Sequence, residues 1–171
     1  MKPTLVVAAA GLLLAVSAST ARGDDSPNQA RDALVRDQKN LMTVLGAFAL
    51  GSMASGVPLL TSNRAEVRAV GVQNLVWGAV DGALALVALS SASSLQREDA
   101  SLSHWVDERA SVRRVFAINA GLDVLYLTAG ALLVALGKTD TLRGTGGGIL
   151  AQGGFLFAFD SAAFFVMAPR R

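Results

Sequence analysis

Four apolar runs alternate with short polar segments along this chain: Leu41 to Leu60, Ala69 to Ser91, Val115 to Gly137 and Gly147 to Met167. An α-helix needs about 20 apolar residues to cross the roughly 30 Å hydrocarbon core of a bilayer. The pattern therefore predicts four membrane helices, near 40–60, 69–91, 115–137 and 147–167, in a single membrane domain over 40–167. The third run gives about 34 Å of helix at 1.5 Å per residue, enough to cross with some tilt. The expected fold class is all-α, a polytopic membrane four-helix bundle.

The runs are not uniformly apolar, and the exceptions fall in register. Asn119, Asp123, Tyr126 and Gly130 are spaced four, three and four apart, so on a helix they form one narrow polar and small stripe. Lipid would leave its hydrogen bonds unmet, so the stripe must face protein or water. The second run holds Gln73, Asn74 and Asp81, with Gly78 and Gly82 beside the carboxyl; the fourth holds Gln152 and Asp160. Each carboxyl costs about 2.5 to 3.5 kcal/mol at a helix centre, which hydrogen bonds to the neighbouring amides and to Tyr126 would offset. The predicted intramembrane network is Gln73, Asn74, Asp81, Asn119, Asp123, Tyr126, Gln152 and Asp160. Close helix packing is expected at Gly51, Gly78, Gly82, Gly130, Gly154 and Ala158, and in the first helix along Ala47, Gly51 and Ser55, which recur every four residues.

The segments outside the runs add a leader and helix starts. Met1-Lys2, the apolar stretch Leu5 to Val16 and the small, polar Ser17 to Gly23 have the layout of a secretory signal peptide. Cleavage after Ala18, Ala21 or Gly23 fits it; Ser19 and Ala21 supply small residues at both recognition positions, so the expected leader is 1–21. A retained anchor is the alternative, since Thr4 to Ala21 lacks any charge. Residues 22–39 read as a charged, extramembrane helix start, with Ser26 as N-cap and Pro27 at the first helical position. Gly56 and Pro58 are expected to end or kink the first helix, and Asn63, three residues before Glu66, to cap the second. Residues 93–114 form a polar or interfacial connection anchored by Trp105 that continues into the third helix. The cluster Gly144 to Gly148 lacks the Lys-Ser/Thr ending of a phosphate loop, which leaves close packing where the fourth helix opens.

An ungapped slide by 79 residues pairs Asn40 with Asn119, Gly51 with Gly130, Gln73 with Gln152 and Asp81 with Asp160. Polar identities inside apolar helices are hard to obtain by chance, so the slide suggests a duplicated helical hairpin whose copies point the same way. Orientation signals conflict. With the leader removed, the mature N-terminus, 93–114 and the C-terminus lie outside, which puts ten Lys and Arg outside against four inside (Arg64, Arg68, Lys138, Arg143). That reverses the positive-inside tendency; the leader is given precedence because the first translocated segment usually dominates.

Composition narrows the chemistry. Of the 171 residues, 52% are hydrophobic and 16% charged, with a formal charge of +2. No basic, aromatic-interleaved patch for nucleic acid is present. The absence of cysteine removes disulfides, thiolate nucleophiles and Cys-type metal sites. A single histidine, His104, excludes a bis-His haem or a multi-His metal centre. No cofactor or metal is expected, and no enzyme: His104 with Asp107 and Glu108 sits in a charged, solvated segment, where a histidine usually has no further role.

Asn119 to Tyr126, Leu142-Arg143-Gly144 and Gln152 to Asp160 resemble a family of small, uncharacterised bacterial four-helix membrane proteins that often begin with a signal-like segment. The likeness spans roughly 41–165; in the first hairpin it rests on Gln73, Asn74 and Trp77. It implies a multi-pass protein of the bacterial inner membrane and adds no reaction. The implied partners are the lipid bilayer and either copies of the same chain or other membrane proteins. Two functions stand open: a structural or partner-binding bundle whose Asp, Asn and Gln residues act as hydrogen-bond glue, and, as the alternative, a proton- or cation-coupled transporter or channel using Asp81, Asp123 and Asp160.

Overall fold

The computed structural model describes residues 26–169, so the expected leader 1–21 and Arg170 and Arg171 lie outside the described residues. Four helices account for nearly all of it: α1, Pro27–Leu59; α2, Ala65–Leu95; α3, Leu102–Leu136; α4, Asp140–Val166. Each is long and apolar enough to cross a membrane. With 27 to 35 residues they are about 40 to 52 Å long, so their ends project beyond the hydrocarbon core.

Local chemistry explains where each begins. Ser26 Oγ accepts the Gln29 amide at 3.3 Å and Pro27 opens α1, where its missing N–H matters least. Gly56 does not end α1, which runs one residue past Pro58. At α2 the N-cap is Arg64, one residue after Asn63, and Ser62 Oγ takes the Arg64 amide at 3.2 Å. Glu66 sits in the first turn of α2, where the helix dipole favours an acid. Ser101 Oγ accepts the His104 amide at 3.3 Å, and α3 then runs unbroken from Leu102 through the apolar run. α4 starts at Asp140, well before Gly147, because Thr139 Oγ1 caps it there by accepting the Leu142 amide at 3.2 Å.

α1 packs along α2 and α3 along α4, giving two antiparallel hairpins; α2 lies along α4 and joins them, and α1 meets α3 over a shorter stretch. α2 and α3 do not pack along each other. Each hairpin is pinched by facing glycines. A Cβ on either Gly56 or Gly71 would stand 2.9 Å from the other's carbonyl oxygen, and Gly130 and Gly146 oppose each other at 3.0 and 2.7 Å. Backbones come this close only where the Cβ is missing. Gly144 rests on the Glu66 carbonyl and Gly148 on Gln73, so glycines also seat α4 on α2. The pinch equates Gly56 with Gly130 and Gly71 with Gly146, offsets of 74 and 75. That is about one helical turn short of the 79-residue slide, because backbone approach sets the register of each hairpin.

Three expected packing positions lie on the outside. Gly51 and Gly154 have nothing within 4 Å of where a Cβ would stand, and Ala158 is exposed. The buried stripe of α1 is Leu45, Ala49, Ser52 and Gly56; Ala47 and Gly51 are turned away from it, and Ser55 lies at its edge, where its hydroxyl meets Asn74 of α2. Small residues recur on both faces of α1, and the partner helix chose between them. Gly78 is buried tightly on Met53 and Ala49, Gly82 lies 3.6 Å from the Ala49 Cβ, and Gly130 is buried on Gly146.

The far end of the bundle is held by Trp105, Leu34 and Met167, all fully buried, and by arginines. Arg109 donates to Asp37 (2.8 Å) and to the carbonyls of Val166 (2.7 Å) and Ala168 (3.1 Å). Arg113 donates to the Phe164 carbonyl at 3.2 Å with its guanidinium 4.0 Å from the centre of the Phe164 ring. α4 has no glycine cap, and these cations take its last carbonyls in place of one.

Candidate functional site

The polar residues of the membrane helices form two groups of different chemistry. In the first, the buried Gln152 amide on α4 donates to Ser52 Oγ on α1 (3.1 Å) and to Asn74 Oδ1 on α2 (2.9 Å). Asn74 Nδ2 donates to Ser55 Oγ at 3.1 Å, and Ser55 Oγ to the Ser52 carbonyl at 2.9 Å. Three helices are tied by a knot in which each amide both donates and accepts, counting the 3.4 Å contact of Ser52 Oγ with Gln152 Oε1. None of these groups titrates. Gln73, beside Asn74 in sequence, lies against Gly148 and acts through packing.

The second group is Asp81, Asp123 and Asp160, on α2, α3 and α4, which are 2%, 4% and 5% exposed. Asp160 lies within hydrogen-bonding reach of the Asp123 carboxyl and of the Asn119 amide, and Asp81 feels the charge of Asp123. A carboxyl donates only when protonated, so a hydrogen bond between Asp123 and Asp160 would need a proton on one of them. Asp81 Oδ2, Asp123 Oδ2 and Gln38 Oε1 are buried without any hydrogen-bond partner.

All of these residues line one cavity of about 470 Å³, walled by α2 and α3 and floored by α1 and α4. The fold makes this arrangement directly: Asp81 follows Gly78 by one turn and Asp123 precedes Gly130 by two, so the tight glycine contacts turn both acids inward. Val80, Leu84, Val115 and Leu122, on the walls, are 46–57% exposed, so the cavity opens sideways between α2 and α3. Trp77 and Tyr126 meet across the gap edge to face, 5.2 Å between ring centroids. Among the described residues no group of three His, Cys, Asp or Glu is arranged to hold a metal ion. The three acids face a common space without converging on a point.

The predicted network is thus divided: Asn74 and Gln152 belong to the knot, Asp81, Asn119, Asp123, Tyr126 and Asp160 to the cavity, and Gln73 to neither. His104 stands outside both, with Nε2 3.4 Å from Glu98 beside the start of α3. Ser52 and Gln38 were missed, and Ser55, expected only as a packing position, proves to be a hydrogen-bonding one. Ser52 had a readable signal, since it shares a helical face with Leu45, Ala49 and Gly56; Gln38 had none, sitting between Asp37 and Lys39.

A family of unknown function, DUF6992, matches residues 44–161, more than two thirds of the chain. The chain belongs to DUF6992. The match begins within α1, ends just past Asp160 and takes in the whole knot and all three acids. DUF6992 has no assigned activity. No curated protein and no solved structure matches the chain.

Proposed function

We propose that this protein is a membrane-embedded binding protein, with the carboxyl-lined cavity between α2 and α3 as its site and the amide–hydroxyl knot as its frame. One observation carries the reading: the amides of the knot are satisfied, and two of the three acids are not. Gln152, Asn74, Ser52 and Ser55 bond to one another across three helices, which is what structural glue does. Asp81 and Asp123 are as deeply buried, yet each keeps an oxygen without a partner. Each such atom costs about 1 to 3 kcal/mol. Intramembrane acids held at a cost to stability are functional candidates.

The test follows from that asymmetry. Asp81→Leu removes a buried, unpartnered group, so unfolding in lipid or detergent is expected at or above the wild-type midpoint. Gln152→Leu leaves Ser52 and Asn74 unbonded and is expected to cost about 1 to 3 kcal/mol. If Asp81→Leu destabilises as much as Gln152→Leu, the acids are glue and the binding reading fails.

The neighbouring Asp123 and Asp160 carboxyls, with Asp81 within charge range, favour a second reading as a proton- or cation-coupled transporter. Proteoliposomes under an imposed potential separate the two: binding alone predicts no flux, whereas flux abolished by Asp81→Asn, Asp123→Asn and Asp160→Asn makes the carboxyls a conduction path. We read the protein as no enzyme, since His104, Asp107 and Glu108 are not among the residues that line the cavity. The leader-like 1–21 and the family resemblance support the bacterial inner membrane, with the mature N-terminus outside.

A further inference from the structure

Four buried side-chain atoms among the described residues lack a hydrogen-bond partner, and three of them, Gln38 Oε1, Asp81 Oδ2 and Asp123 Oδ2, belong to residues lining the α2–α3 cavity. All three are acceptors. Neighbouring helices leave acceptors unmet only at high cost, so a cavity furnished in this way suits a molecule that brings donors. Its other features specify which donors. The acids favour positive charge, and the rings of Trp77 and Tyr126, each within about one turn of an acid on its own helix, add faces that attract a cation. The acids do not converge on a point as they would for a metal ion. Beyond them, apart from Asn119 beside Asp160, the lining is hydrocarbon as far as Gln38: Gly78 and Gly82 pack on Ala49, which sets Asp81 level with it, and Gln38 lies three turns further along α1, about 16 Å away. Met42, Leu45, Leu84 and Phe116 line the cavity between these polar ends.

We propose that the ligand is a lipophilic primary amine, which passes from the bilayer through the opening between α2 and α3, sets its ammonium group against Asp81 and Asp123 and lays its tail toward Gln38. A primary ammonium carries three N–H donors and a full charge, matching acceptors that the fold leaves open. The proposal rests on the binding reading above and narrows it to a chemical class.

Isothermal titration of the full chain in nanodiscs, with empty nanodiscs as reference, compares three probes of one chain length: octylamine, octanol and octyltrimethylammonium. Octylamine is expected to saturate one site. Octanol, which lacks the charge, and octyltrimethylammonium, which lacks the N–H donors, are expected to bind roughly tenfold or more weakly. Asp81→Asn and Asp123→Asn, with unchanged helical content, are expected to lose a similar factor for octylamine. Equal binding of octanol or of octyltrimethylammonium overturns the amine, as do Asn variants that keep full affinity. If octylamine does not bind and Asp81→Leu is as stable as wild type, the amine falls and the binding reading stands; if Asp81→Leu also unfolds readily, both fall.

Discussion

Arg109 is the residue on which the polar end of the bundle turns. It is 6% exposed and bridges three helices, donating from α3 to Asp37 on α1 and to the last carbonyls of α4. Its removal would take the shortest partner from Asp37, which also stands 3.9 Å from Arg36, and leave two carbonyls beside a void, so Arg109→Ala is expected to cost about 3 kcal/mol. Lys at this position restores the charge without the planar fork and should recover only part of that. Thermal unfolding of the three proteins in one detergent checks both statements. In the sequence Arg109 was one of several charges in a polar segment, where solvated cations are the rule. Its burial depends on α1 and the end of α4 closing on α3, where Asp37 and the Val166 and Ala168 carbonyls meet it, which spacing along one helix does not report. Asp81 and Asp123 were readable as intramembrane acids for the opposite reason, since a carboxyl in an apolar run stands out wherever it points.

At the scale of the element, the helices are fixed by apolar length and by caps, while their contacts are fixed by glycine. Gly56→Ala and Gly146→Ala put a methyl group within 3 Å of a facing carbonyl and are expected to cost about 1 to 3 kcal/mol each through overpacking. Gly51→Ala and Gly154→Ala meet open space and are expected to leave stability unchanged or raise it by up to about 1 kcal/mol, the helix-propensity gain. Unfolding midpoints of the four variants check this; equal losses at all four would mean that the outward glycines are also packed. The start of α1 could be read from Ser26 and Pro27, whereas α3 begins at Leu102, ahead of its apolar run, because Ser101 caps it there. α4 opened earlier than its glycines suggested, because a Thr139 cap outweighs glycines that are tolerated inside a helix when they face a neighbour.

Across the whole molecule, four helices long enough to cross would, if each crosses once, put Ser26 and Pro169 on one side of the membrane and the two short loops on the other. Reporters inserted at Ser62 and Lys138 are therefore expected to agree with each other and to oppose one fused after Pro169; a mixed result would reduce the number of crossings. The sequence by itself determined the four apolar helices, the absence of thiol chemistry and the presence of three acids within the bundle, because hydrophobic length, residue inventory and side-chain charge are properties of the chain. Only the tertiary structure decided that the amides and the acids part company. Helical spacing shows which residues share a face, but Gln152 reaches Ser52 and Asn74 because α4 settles on α2 through Gly144 and Gly148, while Asp123 faces a cavity because α2 and α3 stay apart. That choice is made by backbone approach between helices distant in sequence, a contact that no single helix encodes.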